Sequence, residues 1–273
     1  FQVMMYEPDA SKIFASAEIK GGVAISFRDA KKKCGKIGVF TAYTELNSIL
    51  QKVSAIEDEK EKLDSIISSQ GIYRFSDKLF AEHPEVETLS GNGTGAKIIS
   101  KIVDLLPTVF MDAPETTTAY VKFLAKTKAG RQFKYIRRDY LQDNPYLDTF
   151  NVMIPESNGS GAFETLVAPL IAAPGEGSAD TFISMGVFAT EAEAECLRKY
   201  IKTKFARAML GVKKVTQHNP KATWEYVPVQ DFTATSDINW DQSIREIDAQ
   251  LYVKYDLTAE EIAFIESKVK EME

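Results

Sequence analysis

An α+β fold is predicted for this sequence by three features. A short apolar run over residues 182–188 passes directly into a helix whose start is written in the chain. Upstream, residues 109–110, 120–124, 133–136 and 150–154 are short β-prone runs broken by Pro and Gly turns. Downstream, a second capped helix begins after Thr258.

Taken in order, residues 1–40 read as strands, with alternation at Val23-Ala24-Ile25-Ser26-Phe27 and a bend allowed by Gly21-Gly22. Residues 44–68 read as a helix that keeps Leu46, Ile49, Leu50, Val53, Ile56, Leu63, Ile66 and Ile67 in register, with an acid-rich outer face at 57–61. A short helix is expected at 76–80 and a polar loop or turn at 81–90. Gly91-Asn92-Gly93-Thr94-Gly95-Ala96-Lys97 lacks the spacing of a nucleotide-binding loop. It reads as a flexible loop, or as a segment whose amides and Lys97 touch a phosphate. Asn144-Pro145-Tyr146 reads as a turn, and 157–161 and 172–178 as Ser/Gly-rich loops between strands.

The helix after residue 188 carries the strongest local signal. Thr190 with Glu193 is a capping box, in which each side chain satisfies a backbone donor at the helix start. Ala194, Leu197, Ile201, Phe205, Ala208 and Met209 follow at three- and four-residue steps, the spacing of one buried face, until Gly211 ends the helix. A polar segment, Thr216-Gln217-His218-Asn219, precedes a strand-like run at 224–228. Beyond Trp240 and a polar connector, Thr258 and Glu261 cap a final helix with Ile262, Ile265 and Val269 as its buried stripe.

With 273 residues and 44% apolar content, the chain has ample material for one large domain or two smaller ones. No run approaches a membrane span. The solitary Cys34 and Cys196 fit a reducing cytoplasm rather than a disulfide framework. A start in apolar residues without Met suggests a fragment of a longer polypeptide.

A net charge of −6 counts against attraction of nucleic acid by the whole surface, so a DNA role has to rest on local patches. Two such patches exist. Residues 196–221 hold Arg198, Lys199, Lys202, Lys204, Arg207, Lys213, Lys214 and Lys221 without an acid, and 120–138 hold Lys122, Lys126, Lys128, Arg131, Lys134, Arg137 and Arg138 without one. Each is either a solvated face or a phosphate-gripping surface. On the second reading the candidate phosphate contacts are Lys97, Lys128, Arg131, Arg137, Lys199, Lys202, Lys213, Lys214 and Lys221. Gln217 and Asn219 are the candidates for a base edge, since an amide pairs bidentately with adenine.

Catalysis has little to stand on. His83 and His218 with two scattered cysteines offer no metal-ligand spacing, and no serine sits in a nucleophile elbow. Pro8-Asp9 with Glu18-Ile19-Lys20 matches the spacing of a Mg²⁺-dependent nuclease motif, in which two carboxylates hold the metal and a lysine orients water.

Two stretches resemble a known family. TEAEAECLRKYIKTKFARAMLGVKKVTQHNPKATWEYVPVQDF (190–232), with LYVKYDLTAEEIAFIESKVKEM (251–272), is similar to the C-terminal part of bacterial type IIG-like restriction-modification enzymes. These join an adenine-specific DNA methyltransferase to a target-recognition region and often to a nuclease. IFASAEIKGGVAISFRD (13–29) resembles the segment that ends their methyltransferase fold. The resemblance implies closing strands of a methyltransferase sheet over 1–40, a connecting helix over 41–70, a mixed α/β target-recognition domain over 71–232 and a helical tail over 233–273. It also implies double-stranded DNA and the rest of the parent chain as partners. S-adenosylmethionine, and Mg²⁺ if a nuclease is fused, would be held by the parent and not by this fragment. An autonomous nuclease using Asp9, Glu18 and Lys20, or a protein-interaction module without DNA affinity, are the alternatives.

Overall fold

The computed structural model describes residues 2–7, 9–16, 22–32, 39–57, 60–89, 96–115, 118–157, 166–214 and 216–272. Among them are eight α-helices and three small sheets, an α+β arrangement. β1 (Gln2–Glu7) and β2 (Val23–Phe27) form an antiparallel hairpin. A long first helix, α1 (Thr44–Glu57), leads into a region of short helices, α2 (Asp77–Glu82), α3 (Glu85–Leu89) and α4 (Ser100–Leu105). The hairpin of β3 (Tyr120–Thr127) and β4 (Gly130–Arg137) comes next, followed by β5 (Phe150–Pro155), β6 (Leu170–Ala172), β7 (Glu176–Ser178) and β8 (Phe182–Phe188). Strand order is β4-β3-β7 in one sheet and β6-β5-β8 in another. Four helices complete the chain: α5 (Glu191–Lys202), α6 (Lys204–Gly211), α7 (Ile244–Lys254) and α8 (Ala259–Lys268).

Side chains sort into two main cores. Tyr73, Phe75, Leu79, Ile102, Phe110, Phe123 and Ile136 unite α2–α4 with the β3–β4 hairpin. Leu46, Ile49 and Val53 of α1 share the larger core with Ile154, Met185, Leu197, Phe205, Trp224, Leu251 and Ile265. Helix α1 and the helices beyond residue 232 therefore share one core with α5 and α6. Leu124, Met153, Ala172 and Phe182 form a third cluster that joins strands of both sheets.

The capping boxes at Thr190/Glu193 and Thr258/Glu261 are formed, and Ser243/Glu246 makes a third at α7. Thr190→Ala removes the acceptor for the Glu193 amide and should cost about 1 kcal/mol in urea unfolding. A variant as stable as the parent would mean that solvent replaces the cap fully.

Several expectations change. The loop or turn expected over 81–90 holds α3, and the loop expected over 172–178 holds β7, paired with β3. The helix expected over 190–209 breaks at Thr203, which ends α5 and caps α6. Its hydroxyl donates to the Tyr200 carbonyl at 2.6 Å and accepts from the Ala206 amide at 3.1 Å, while Asp248 of α7 takes the Lys204 and Phe205 amides. The helix expected over 44–68 stops at Glu57 and resumes as one 3₁₀ turn at Leu63–Ile66. Residues 221–224 are a 3₁₀ turn that buries the Trp224 ring completely, not the lead into a strand. Val109 and Phe110 lie in a turn after α4, their amides bonded back to Leu106, with only the next residue bridging to Tyr135.

Candidate nucleic-acid interface

The fate of each basic side chain follows from what the fold brings beside it. In the 196–221 stretch most of the charge is absorbed internally. Arg198 pairs with Glu195 at 2.6 Å, Lys204 with Glu266 and Lys213 with Glu225. The Glu225 carboxylate holds the Lys213 ammonium above its ordinary range, and Glu225 is lowered in return. Lys199 donates to the Trp240 carbonyl at 2.6 Å, tying α5 to the loop before α7. Arg207 is buried and donates to the backbone at Lys202, Thr203 and Lys270. Lys202 lies beside Arg207 and Arg245 in a hollow between the C-terminal helices.

Two candidates are corrected by burial. Lys214 is 2% exposed, and Asn219 is fully buried with its side-chain oxygen accepting from Thr223 at 3.1 Å. The Asn219 amide also donates to the Glu156 carbonyl at 2.7 Å, so this residue anchors its loop and presents no edge to a base. Lys221 lies on the 3₁₀ turn, half-buried, and Gln217 is exposed.

The β3–β4 hairpin is polarised. Toward its open end Arg137 makes a forked contact with Asp139 at 2.7 and 3.0 Å, and those bonds raise the guanidinium and lower Asp139. Arg138 meets Asp143 at 3.0 Å, Lys122 meets Glu176 at 2.8 Å, and Lys134 meets Asp112. Arg137 is thus already spoken for by carboxylates. At the turn end, Lys126, Lys128 and Arg131 are exposed and form no ion pair among the described residues. Lys126 and Arg131 stand directly opposite each other across the strands. Like charges in that position are destabilising unless an anion joins them.

Helix α4 braces this turn. The Ser100 hydroxyl accepts the Lys126 amide at 3.4 Å, Asp104 accepts the Lys128 amide at 2.9 Å, and Asp180 accepts the Ser100 amide at 2.8 Å. Lys101 on α4 and Lys97 just before it also lack an ion pair among the described residues, and Lys97 bridges by its backbone to Arg74.

Beside the turn runs a groove of about 410 Å³, lined by Gln70, Lys126, Arg131, Pro155, Glu156, Ser157, Val167 and Thr181. The Arg131 guanidinium lies 5.3 Å from the centre of the Phe182 ring, a cation–π contact that orients it without neutralising it. Across from it, His218 Nδ1 meets the Glu156 carboxylate at 3.1 Å, and His218 bridges by its backbone to Ser157. Glu156 and Ser157 thus link the groove to the 216–219 loop. A roomier hollow of about 720 Å³ beside Trp240 is flanked by Glu193, Asp237 and Asp241 and would repel a polyanion.

Lys126 and His218 were named from sequence but not placed among the candidate contacts, and Glu156 was not named. Lys126 had a signal, since the two-residue turn at Lys128-Ala129 sets it opposite Arg131. Of the nuclease triplet, Asp9 is engaged by Ser11 as the cap of a 3₁₀ turn, while Glu18 and Lys20 lie outside the described residues, as does the glycine-rich loop over 91–95. Among the described residues no group of His, Cys, Asp and Glu could hold a metal ion, and no helix is long and apolar enough to cross a membrane. No family model and no curated protein matches the chain.

Proposed function

We propose that this chain is the DNA-recognising part of a cytoplasmic restriction-modification enzyme, in which adenine methyl transfer from S-adenosylmethionine is done by the rest of the parent polypeptide. The observation that carries the reading is the hairpin turn: Lys126, Lys128 and Arg131 keep their charge while the other cations of the same hairpin are neutralised by carboxylates. Phosphates of a duplex are the partner such a turn fits, with Lys97 and Lys101 extending the contact. The internally bonded Lys199, Lys213 and Arg137 hold the scaffold in this reading.

Salt-titrated binding of a labelled random duplex tests it. Affinity should fall by about 0.9 log unit per log unit of salt for each phosphate neutralised. Lys126→Ala with Arg131→Ala should reduce that slope by about 1.8, and Lys213→Ala should leave it unchanged. No binding at low salt, or a slope indifferent to the hairpin variants, would refute the proposal.

A further inference from the structure

The groove beside the hairpin is bipolar. Lys126 and Arg131 line it together with Glu156, yet neither cation pairs with that carboxylate, which instead meets His218 Nδ1 at 3.1 and 3.2 Å. The main chain of Glu156 is held on both sides as well. The Glu156 amide donates to the Thr181 carbonyl at 3.0 Å, and the Glu156 carbonyl accepts the Asn219 amide at 2.7 Å. Glu156 is mostly covered, its side chain 16% exposed against 55% for His218.

A negative charge fixed in a groove that receives phosphates weakens binding of every duplex alike, since like charges repel. Its presence makes chemical sense if it accepts a hydrogen bond that phosphates and sugars do not offer. In the major groove such donors are the exocyclic amino groups, cytosine N4 and adenine N6, and a carboxylate is suited to the cytosine N4 group. Resting on the DNA-binding reading above, we propose that Glu156 is a specificity-determining residue. Its carboxylate accepts a hydrogen bond from the amino group of one base while Lys126 and Arg131 hold the neighbouring phosphates. His218 is a positioning residue that keeps the carboxylate turned and separate from Arg131.

The test uses the full chain and selection from duplexes with a randomised core, followed by sequencing. The wild-type chain should enrich a motif in which one position is restricted to an amino-bearing base, and the selected base tells cytosine from adenine. Glu156→Ala, which leaves no acceptor for either amino group, should relax that position by roughly 5- to 100-fold, leave the other positions alone, and bind unselected random duplex as well as or better than the parent. His218→Ala should relax the same position more weakly. Unchanged thermal unfolding of both variants excludes a folding defect. An unaltered motif in Glu156→Ala, or a uniform loss of affinity for all duplexes, overturns the assignment. If the wild-type chain binds duplex but enriches no motif, the Glu156 inference falls and the DNA-binding reading stands. If the wild-type chain binds no duplex, both fall.

Discussion

Gly186→Ala should destabilise the protein by about 3 kcal/mol or more. Gly186 is buried in β8 with φ at +73°, a conformation that costs a residue with a Cβ about 1–2 kcal/mol. The new methyl would also lie 2.1 Å from Cε2 and 2.4 Å from Cζ of Phe188. That ring cannot retreat freely, because it packs edge-on against Phe232 at 6.0 Å. Pairing with β5 shows why the glycine is there. Phe188 faces Phe150 and Met185 faces Val152, so β8 carries one extra residue at this point. The resulting bulge turns Phe188 toward the core just before Thr190 starts α5. Urea unfolding measures the loss; a variant within about 0.5 kcal/mol of the parent would show that the bulge rearranges at no cost.

The second large effect is a dependence of stability on pH that traces to Asp248. This carboxylate is 3% exposed and accepts the amides of Lys204 and Phe205 at 3.0 and 2.9 Å, so a residue of α7 caps α6. Burial pushes its pKa up to about 6, aided by Glu266, while the two amides and Arg207 pull the other way. Because the native state holds the proton more tightly than the unfolded chain, the contribution to stability is complete below about pH 4. It is lost as pH rises through about 6, and two units correspond to about 3 kcal/mol. Asp139, Glu225 and Glu261 are lowered and act in the opposite sense, so the wild-type curve alone mixes signs. The difference between wild type and Asp248→Asn isolates the group. That difference in Tm should change across pH 4–7 in favour of the asparagine at the neutral end; two parallel curves would mean that Asp248 stays ionised without penalty.

Sequence alone determined the elements whose signals lie within one turn of chain. Thr190/Glu193 and Thr258/Glu261 name their helices because both partners of the cap are three residues apart. The short β-prone runs at 120–124, 133–136, 150–154 and 182–188 all mark strands for the same local reason. Ser243/Glu246 carries an equal signal for α7, missed when 233–257 is taken as a connector.

What only the tertiary structure decided is where the chain breaks and which charges remain free. The interruption at Thr203 depends on a carboxylate delivered by α7. Lys204 and Lys213 read as open cations in their own stretch, but Glu266 and Glu225 arrive from outside it to meet them. The basic stretch over 196–221 thus becomes internal bonding, and the smaller cluster at Lys126, Lys128 and Arg131 is left facing a groove. A cap or an apolar stripe is specified by neighbours along the chain. The partner of a charge is specified by distance in space, and that is set by which cores fill.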